Sequence, residues 1–242
     1  MPEWIMKLKD DFVVAFIQDN RWKYLTEGIQ NTLLLTFFAL ILGVVLGVVV
    51  AAVRTTYDKQ YNEIRNPFGR FLLGLGNTIC KIYLTVIRGT PSMVQILIIF
   101  FIIMASSDNK MLCGIIAFGI NSGAYVAEIM RGGIMSIDVG QTEAGRSLGF
   151  NYVQTMWFIV LPQTFKNILP ALANEFIVLL KETAIAGYVG VTDLTRGANI
   201  IRGITYQSFW PLLAIAAIYL VLVMFFTWLV GILERRLRNS ER

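Results

Sequence analysis

Residues 32–53 run for 22 positions without a charged side chain, and Arg54 ends the run. A helix crossing about 30 Å of hydrocarbon needs about 20 mostly apolar residues. In lipid the backbone must satisfy its own hydrogen bonds, which leaves helices or closed barrels. A stretch of this length and kind is a membrane span. The rest of the chain agrees: 56% of its 242 residues are hydrophobic and only 15% are charged, against about 45–50% and about 25% in soluble domains. The missing charge weighs more than the added apolarity, because a water-facing surface needs charge.

Further runs divide the chain. Residues 54–70 are polar and carry Arg54, Lys59, Arg65 and Arg70, as a cytosolic loop would. Residues 71–105 as one helix would be about 50 Å long, too long for one straight crossing. Gly89 and Pro91 divide the stretch, and the part from 92 to 105 spans only about 21 Å, too short to cross alone. The segment therefore reads as one crossing with a membrane-surface entry and an interior break. Residues 111–129 are a third span, 168–191 a fourth interrupted by Lys181 and Glu182, and 211–233 a fifth. The expectation is an all-α membrane protein of five transmembrane helices. An extracytoplasmic segment (1–31) precedes the membrane domain (32–233), and a cytosolic basic tail (234–242) follows it. A sixth span would move the N-terminus across the membrane and leave the tail inside.

Net charge is +5. Most basic residues sit at the ends of apolar runs (Arg54, Arg70, Arg131, Lys166, Arg235, Arg236, Arg238), the distribution of a membrane protein rather than a nucleic-acid binder. There is no histidine, the commonest metal ligand and general base. Cys80 and Cys113 have no metal-ligand spacing. The chain is expected to hold no metal or cofactor. It opens with Glu3, Lys7, Lys9, Asp10 and Asp11, not with a signal peptide. Gly43 and Gly47 stand four apart, where small residues let helices approach closely.

The polar stretch 136–163 is patterned as two short helices joined by a turn. Glu143 is read as early in the first helix, where negative charge suits the helix dipole. Ala144 and Gly145 would let another surface approach, Gly149 can take the positive φ that ends a helix, and Asn151 can cap the next. Pro162 is expected to stop that second helix.

Glu143, Ala144, Gly145 and Gly149, followed by Ile159, Leu161 and Pro162, resemble the EAA loop of ABC importer permeases, with Gly145 replacing the usual second alanine. Three further stretches resemble the histidine/glutamine/arginine type: Arg88-Gly89-Thr90-Pro91 with Gln95, Ala124-Tyr125 with Glu128-Ile129, and Asn174-Glu175 through Lys181-Glu182-Thr183. The resemblance covers about 31–233. It implies a type I importer permease in a bacterial inner membrane, with Gln141, Glu143, Ala144, Gly145, Gly149, Leu161 and Pro162 docking a cytosolic ATPase dimer. It further implies an extracytoplasmic solute-binding protein, a second permease copy or paralogue, and a polar amino acid as solute. The chain has no phosphate-binding Gly-x-x-x-x-Gly-Lys-Ser/Thr loop, so ATP would be bound and hydrolysed by the partner.

Charges placed inside the membrane are costly and usually face a cavity or the protein interior. Lys181 and Glu182, about 20 Å along a span starting at 168, could hold the two charges of a zwitterionic amino acid, with Thr183 adding a hydroxyl. The alternative is a structural network that closes the bundle. Arg88, Thr90 and Gln95 at the broken segment are the other candidates for the solute path. Glu128 and Arg131, three apart, are expected to pair. A self-sufficient carrier or channel is the competing function, although such proteins usually show paired broken helices in two repeats, and only one broken segment is present.

Overall fold

The structure, a computed structural model, describes residues 3–239. Among them there is no strand. The N-terminal helix α1 (Glu3–Phe12) leads through a π-helical turn and a short 3-10 turn into α2 (Trp22–Gln60). At 39 residues α2 is about 58 Å long, so it projects beyond the uncharged run at both ends. Asn66 accepts a hydrogen bond from the Phe68 amide at 3.0 Å and Pro67 fills the first helical position, which together start α3 (Pro67–Gly89). Thr90 is extended, and α4 (Ser92–Ile98) resumes after Pro91, ending in a π-helical turn over Ile99–Ile103. Asn109 caps α5 (Lys110–Met135).

The two short helices expected over 136–163 are present: α6 (Val139–Ser147) and α7 (Tyr152–Thr155). Pro162, however, does not stop the second. The chain continues through a π-helical turn (Met156–Val160) into α8 (Leu161–Glu182), with Pro162 directly after the π turn, where the regular hydrogen-bond ladder is already interrupted. The fourth long helix thus begins at 161 rather than 168 and ends at Glu182, and residues Thr183–Val189 form a 3-10 segment. Asp193 caps α9 (Leu194–Thr205), and α10 (Phe209–Asn239) completes the chain. It carries the expected basic tail as far as Asn239; residues 1, 2 and 240–242, parts of the two expected terminal segments, lie outside the described residues.

Among the described residues four helices are long and apolar enough to cross a membrane, α2, α3, α5 and α10; α8, which holds most of the expected fourth span, is not one of them. Packing fixes their directions. Along α2 and α5, Leu35 lies beside Gly114, Leu42 beside Gly119, Gly43 beside Ser122 and Gly47 beside Val126, so the two run parallel. A Cβ on Gly47 would sit 2.5 Å from Val126 Cγ1. Both expected glycines therefore lie at a close approach, which matters in lipid, where helix association depends on packing rather than on the hydrophobic effect. Because α2 and α5 run the same way, the intervening chain must return. It does so along α5: Arg88 reaches Glu128, Gln95 bonds Asn121, and Ile99 shares a buried cluster with Ala117. Helix α8 is antiparallel to α5, with Ile168 against Gly133 and Glu175 against Ser122. At the end where α2 begins, Phe16, Leu25, Leu194 and Ile201 form a buried cluster, and Trp210 at the start of α10 packs on it. The hairpin α6–α7 lies at the opposite end.

Candidate functional site

The hairpin is built by local rules. Asp138 caps α6, accepting from the Gly140 amide at 2.7 Å. That start places Glu143 in the middle of α6 and not in its first turn, so the expected helix-dipole role passes to Asp138. At the turn Gly149 has φ +83°. Its amide donates to Arg146 O at 2.9 Å and the Phe150 amide to Gly145 O at 3.0 Å, closing the helix end. Asn151 and Gln154 then exchange hydrogen bonds of 2.9 Å each in a reciprocal cap.

Gly145 does not offer its face outward. It is buried, and a Cβ there would meet Ile159 and Thr155 of the returning arm at 2.9 Å. Its smallness closes the hairpin on itself, whereas Gln141, Glu143 and Ala144 are exposed on α6. Leu161 is half-buried and Pro162 exposed where the hairpin passes into α8. The hairpin is also tied to α2 and to the turn that follows it. Arg146 pairs with Glu63 at 3.4 Å, and Tyr152 lies beside Thr56. Burial raises the Tyr152 phenol above its ordinary value, and a hydrogen bond with Thr56 partly offsets this. A cavity of about 420 Å³ remains between hairpin, α2 and α5, lined by Lys59, Glu63, Met135, Thr142 and Arg146 among others.

The second candidate region lies inside the bundle. The break at Thr90-Pro91 frees backbone carbonyls at membrane depth, and Gln95 takes them up. Its Nε2 donates to Ile87 O at 2.7 Å, Thr90 O at 2.9 Å and Thr90 Oγ1 at 2.8 Å, and its Oε1 accepts from Asn121 at 2.9 Å. Exposed backbone inside a membrane is tolerated only when re-satisfied in this manner. Thr90 donates to Val86 O at 2.8 Å. Arg88 is exposed and pairs with Glu128 at 3.8 Å; Glu128 and Arg131, the expected pair, are 3.7 Å apart, and Arg131 also reaches Asp58 at 3.7 Å.

Lys181 and Glu182 lie at the far end of α8. Because that helix begins at Leu161, they are about 30 Å from its start rather than about 20 Å. Lys181 is exposed and Glu182 half-buried. Among the described residues neither joins an ion pair within 4.0 Å. Thr183 is buried and donates to Leu180 O at 2.8 Å. Arg88 and Lys181 therefore belong to opposite ends of the bundle. Between them is a pair outside the expected solute path: Glu175, 8% exposed, accepts from Ser122 Oγ at 2.8 Å across α8 and α5. The available signal was spacing, since Glu175 precedes Glu182 by seven residues, two turns on one helix face.

Residues 68–239 match the family model of the binding-protein-dependent transport system inner membrane component. The chain is 37% identical over 217 residues to a putative glutamine transport system permease protein of Rickettsia typhi, covering 88% of this chain and 93% of that one. It is 34% identical to the arginine transport system permease protein of Bacillus subtilis, covering 90% and 94% of the two chains. Among solved structures, an amino acid ABC transporter crystallised with histidines superposes with a TM-score of 0.79 at 40% identity, covering 91% of this chain and 98% of that one. The inward-facing MetNI methionine ABC transporter reaches a TM-score of 0.72 at 18% identity, a likeness of fold.

Proposed function

Because the chain belongs to the family of inner membrane components of binding-protein-dependent transport systems, we propose that it carries polar amino acids inward through a path powered by a separate cytosolic ATPase dimer. It is a permease subunit of an amino acid ABC importer, a multi-pass membrane protein and not the catalytic component. The observation that carries the finer reading is the α6–α7 hairpin. Its turn is pinned by Gly149, its outer face of Gln141, Glu143 and Ala144 is exposed, and its base is tied to α2 and α8. A rigid lever with a free face is what an ATPase needs in order to move helices. Gln141, Glu143, Ala144 and Gly149 form the docking side, Gly145 keeps the arms together, and Leu161 and Pro162 join the lever to α8.

Five crossings are the topology that the helix directions support. The N-terminus lies outside, as part of an extracytoplasmic segment, and the hairpin and tail lie in the cytosol of a bacterial inner-membrane protein. The solute would pass from Lys181, Glu182 and Thr183 at the outer end of α8, past the broken segment at Thr90 and Gln95, to Arg88 at the inner end. Thr90 and Gln95 shape this path by holding the break. A solute-binding protein delivers the amino acid, and a second copy or a paralogue supplies the other wall. The subunit needs no cofactor of its own, since the partner binds the ATP.

The test is uptake of labelled glutamine, arginine and histidine into proteoliposomes holding this chain, its ATPase and its binding protein. ATP-dependent uptake that needs all three components is the expected result. Uptake by this chain alone, without ATP, would support the self-sufficient carrier and remove the ATPase from the account.

A further inference from the structure

At the inner end of the bundle a cleft of about 450 Å³ opens between α2, α3 and α5, lined by Arg54, Lys81, Leu84, Thr85, Arg88 and Glu128 among others. Three cations here meet one carboxylate, and that carboxylate is divided between Arg88 at 3.8 Å and Arg131 at 3.7 Å. Asp58 takes up part of Arg131 at 3.7 Å. Matching Arg54, Lys81, Arg88 and Arg131 against Glu128 and Asp58 leaves two cations without counter-charges. Arg54 Nη1 donates to Asn77 Oδ1 at a long 3.3 Å, and its Nε is buried with no acceptor. Among the described residues Arg54 joins no ion pair within 4.0 Å, so the charge it brings to the cleft has no protein counter-charge.

Depth and shape indicate the ligand. Arg54 stands where the uncharged run of α2 ends, which is the level of the headgroups on the hairpin's side of the membrane. On α3, Lys81, Thr85 and Arg88 occupy one flank at helical spacing, and the neighbouring face exposes Ile79, Ile82 and Val86. A helix with a basic flank beside an exposed apolar face suits a headgroup and its acyl chains together. Basic residues at an interface often reach the water separately. Here Arg54, Lys81 and Arg88 converge on a single concavity.

We infer that this cleft binds the phosphate of an anionic phospholipid of the cytosolic leaflet, with the acyl chains lying along Ile79, Ile82 and Val86. Lys81 and Arg54 hold phosphate oxygens and Thr85 donates a hydroxyl. Arg88 is shared with the proposed solute path, so the test rests on Lys81, which that path does not use and which is exposed, so that replacing it leaves the fold intact.

The experiment is native mass spectrometry of the full-length chain in neutral detergent, incubated with equal amounts of phosphatidylglycerol and phosphatidylcholine. Wild-type protein retains phosphatidylglycerol in preference. Lys81→Gln lowers that retention about fivefold, the effect of one cation near an anionic headgroup. Lys81→Arg keeps it, and Lys166→Gln, a basic residue outside the cleft, leaves it unchanged. Equal retention of the two lipids, or an equal loss in Lys81→Gln and Lys166→Gln, overturns the assignment. So does displacement of the lipid by millimolar inorganic phosphate, which would make this a free-phosphate site.

Discussion

Replacing Gly149 tests the lever at its thinnest point. With φ at +83° the residue occupies the left-handed region, and nothing lies within 4 Å of where a Cβ would stand. Sterics with neighbours are therefore absent, and the cost of a side chain is that of the backbone conformation alone. For an ordinary L-residue that cost is about 1–2 kcal/mol; asparagine tolerates the region, while a β-branched residue there is an outlier. Since about 1.4 kcal/mol is tenfold in an equilibrium constant, Gly149→Asn should leave the turn nearly intact. Gly149→Ala should shift it severalfold toward an opened hairpin, and Gly149→Val at least tenfold. Opening loses the two bonds that close the helix end, Gly149 to Arg146 and Phe150 to Gly145, and with them the rigidity of the exposed α6 face. The assay is paired: solute-stimulated ATPase activity and amino acid uptake in proteoliposomes, normalised to the amount of assembled complex. Uptake per ATP should fall in the order Asn, Ala, Val with assembly preserved. Normal uptake by Gly149→Val at normal assembly would sink the coupling role. Equal losses for all three would show that the position needs space against a partner and not a positive φ.

Other outcomes follow from the same geometry. A cysteine at Glu3, exposed on α1, should react from outside the cell with an impermeant thiol reagent, and the native Cys80 and Cys113, both buried, should give little background; labelling only after permeabilisation would favour a sixth span. Glu182→Gln and Lys181→Gln should assemble normally with the ATPase yet lose uptake or change preference between neutral and cationic amino acids, since among the described residues neither joins an ion pair that its loss would strand; lost assembly in both would make them structural. Gly47→Val should lower the melting temperature in a detergent thermal-stability assay, because even an added Cβ would sit 2.5 Å from Val126 Cγ1 and packing is what joins helices in lipid. A melting temperature equal to wild type would mean that α2 and α5 do not meet there.

Much of the design is local and so could be read along the chain. Span positions follow from uninterrupted apolar length, and the break at Thr90 follows from Gly89 and Pro91, whose effect on the backbone does not depend on the partner helix. The turn at Gly149 and the cap at Asn151 are equally local, and both appear where the residue types require them. The sequence is less explicit where surrounding structure decides. Pro162 reads as a stop, yet the preceding π-helical turn carries the helix axis past it, and this moved Lys181 and Glu182 from mid-span to the end of α8. Gly145 reads as a bare docking face, but the returning arm covers it.

The chemistry of the interior was less legible still. Gln95 reads as a solute contact, but its amide is occupied by the carbonyls that the break releases and by Asn121, 26 residues away. The pairing of Glu175 with Ser122, and the convergence of Arg54, Lys81 and Arg88 on one cleft, join residues from separate helices. The amino-acid sequence alone determined that this chain is a set of membrane helices with one hinged break and one capped hairpin, because solvent, helix length and backbone stereochemistry act residue by residue. Which charges meet, which stay unpaired and which glycine faces inward was decided only by the tertiary structure, because those outcomes depend on distances between helices that no spacing along one helix contains.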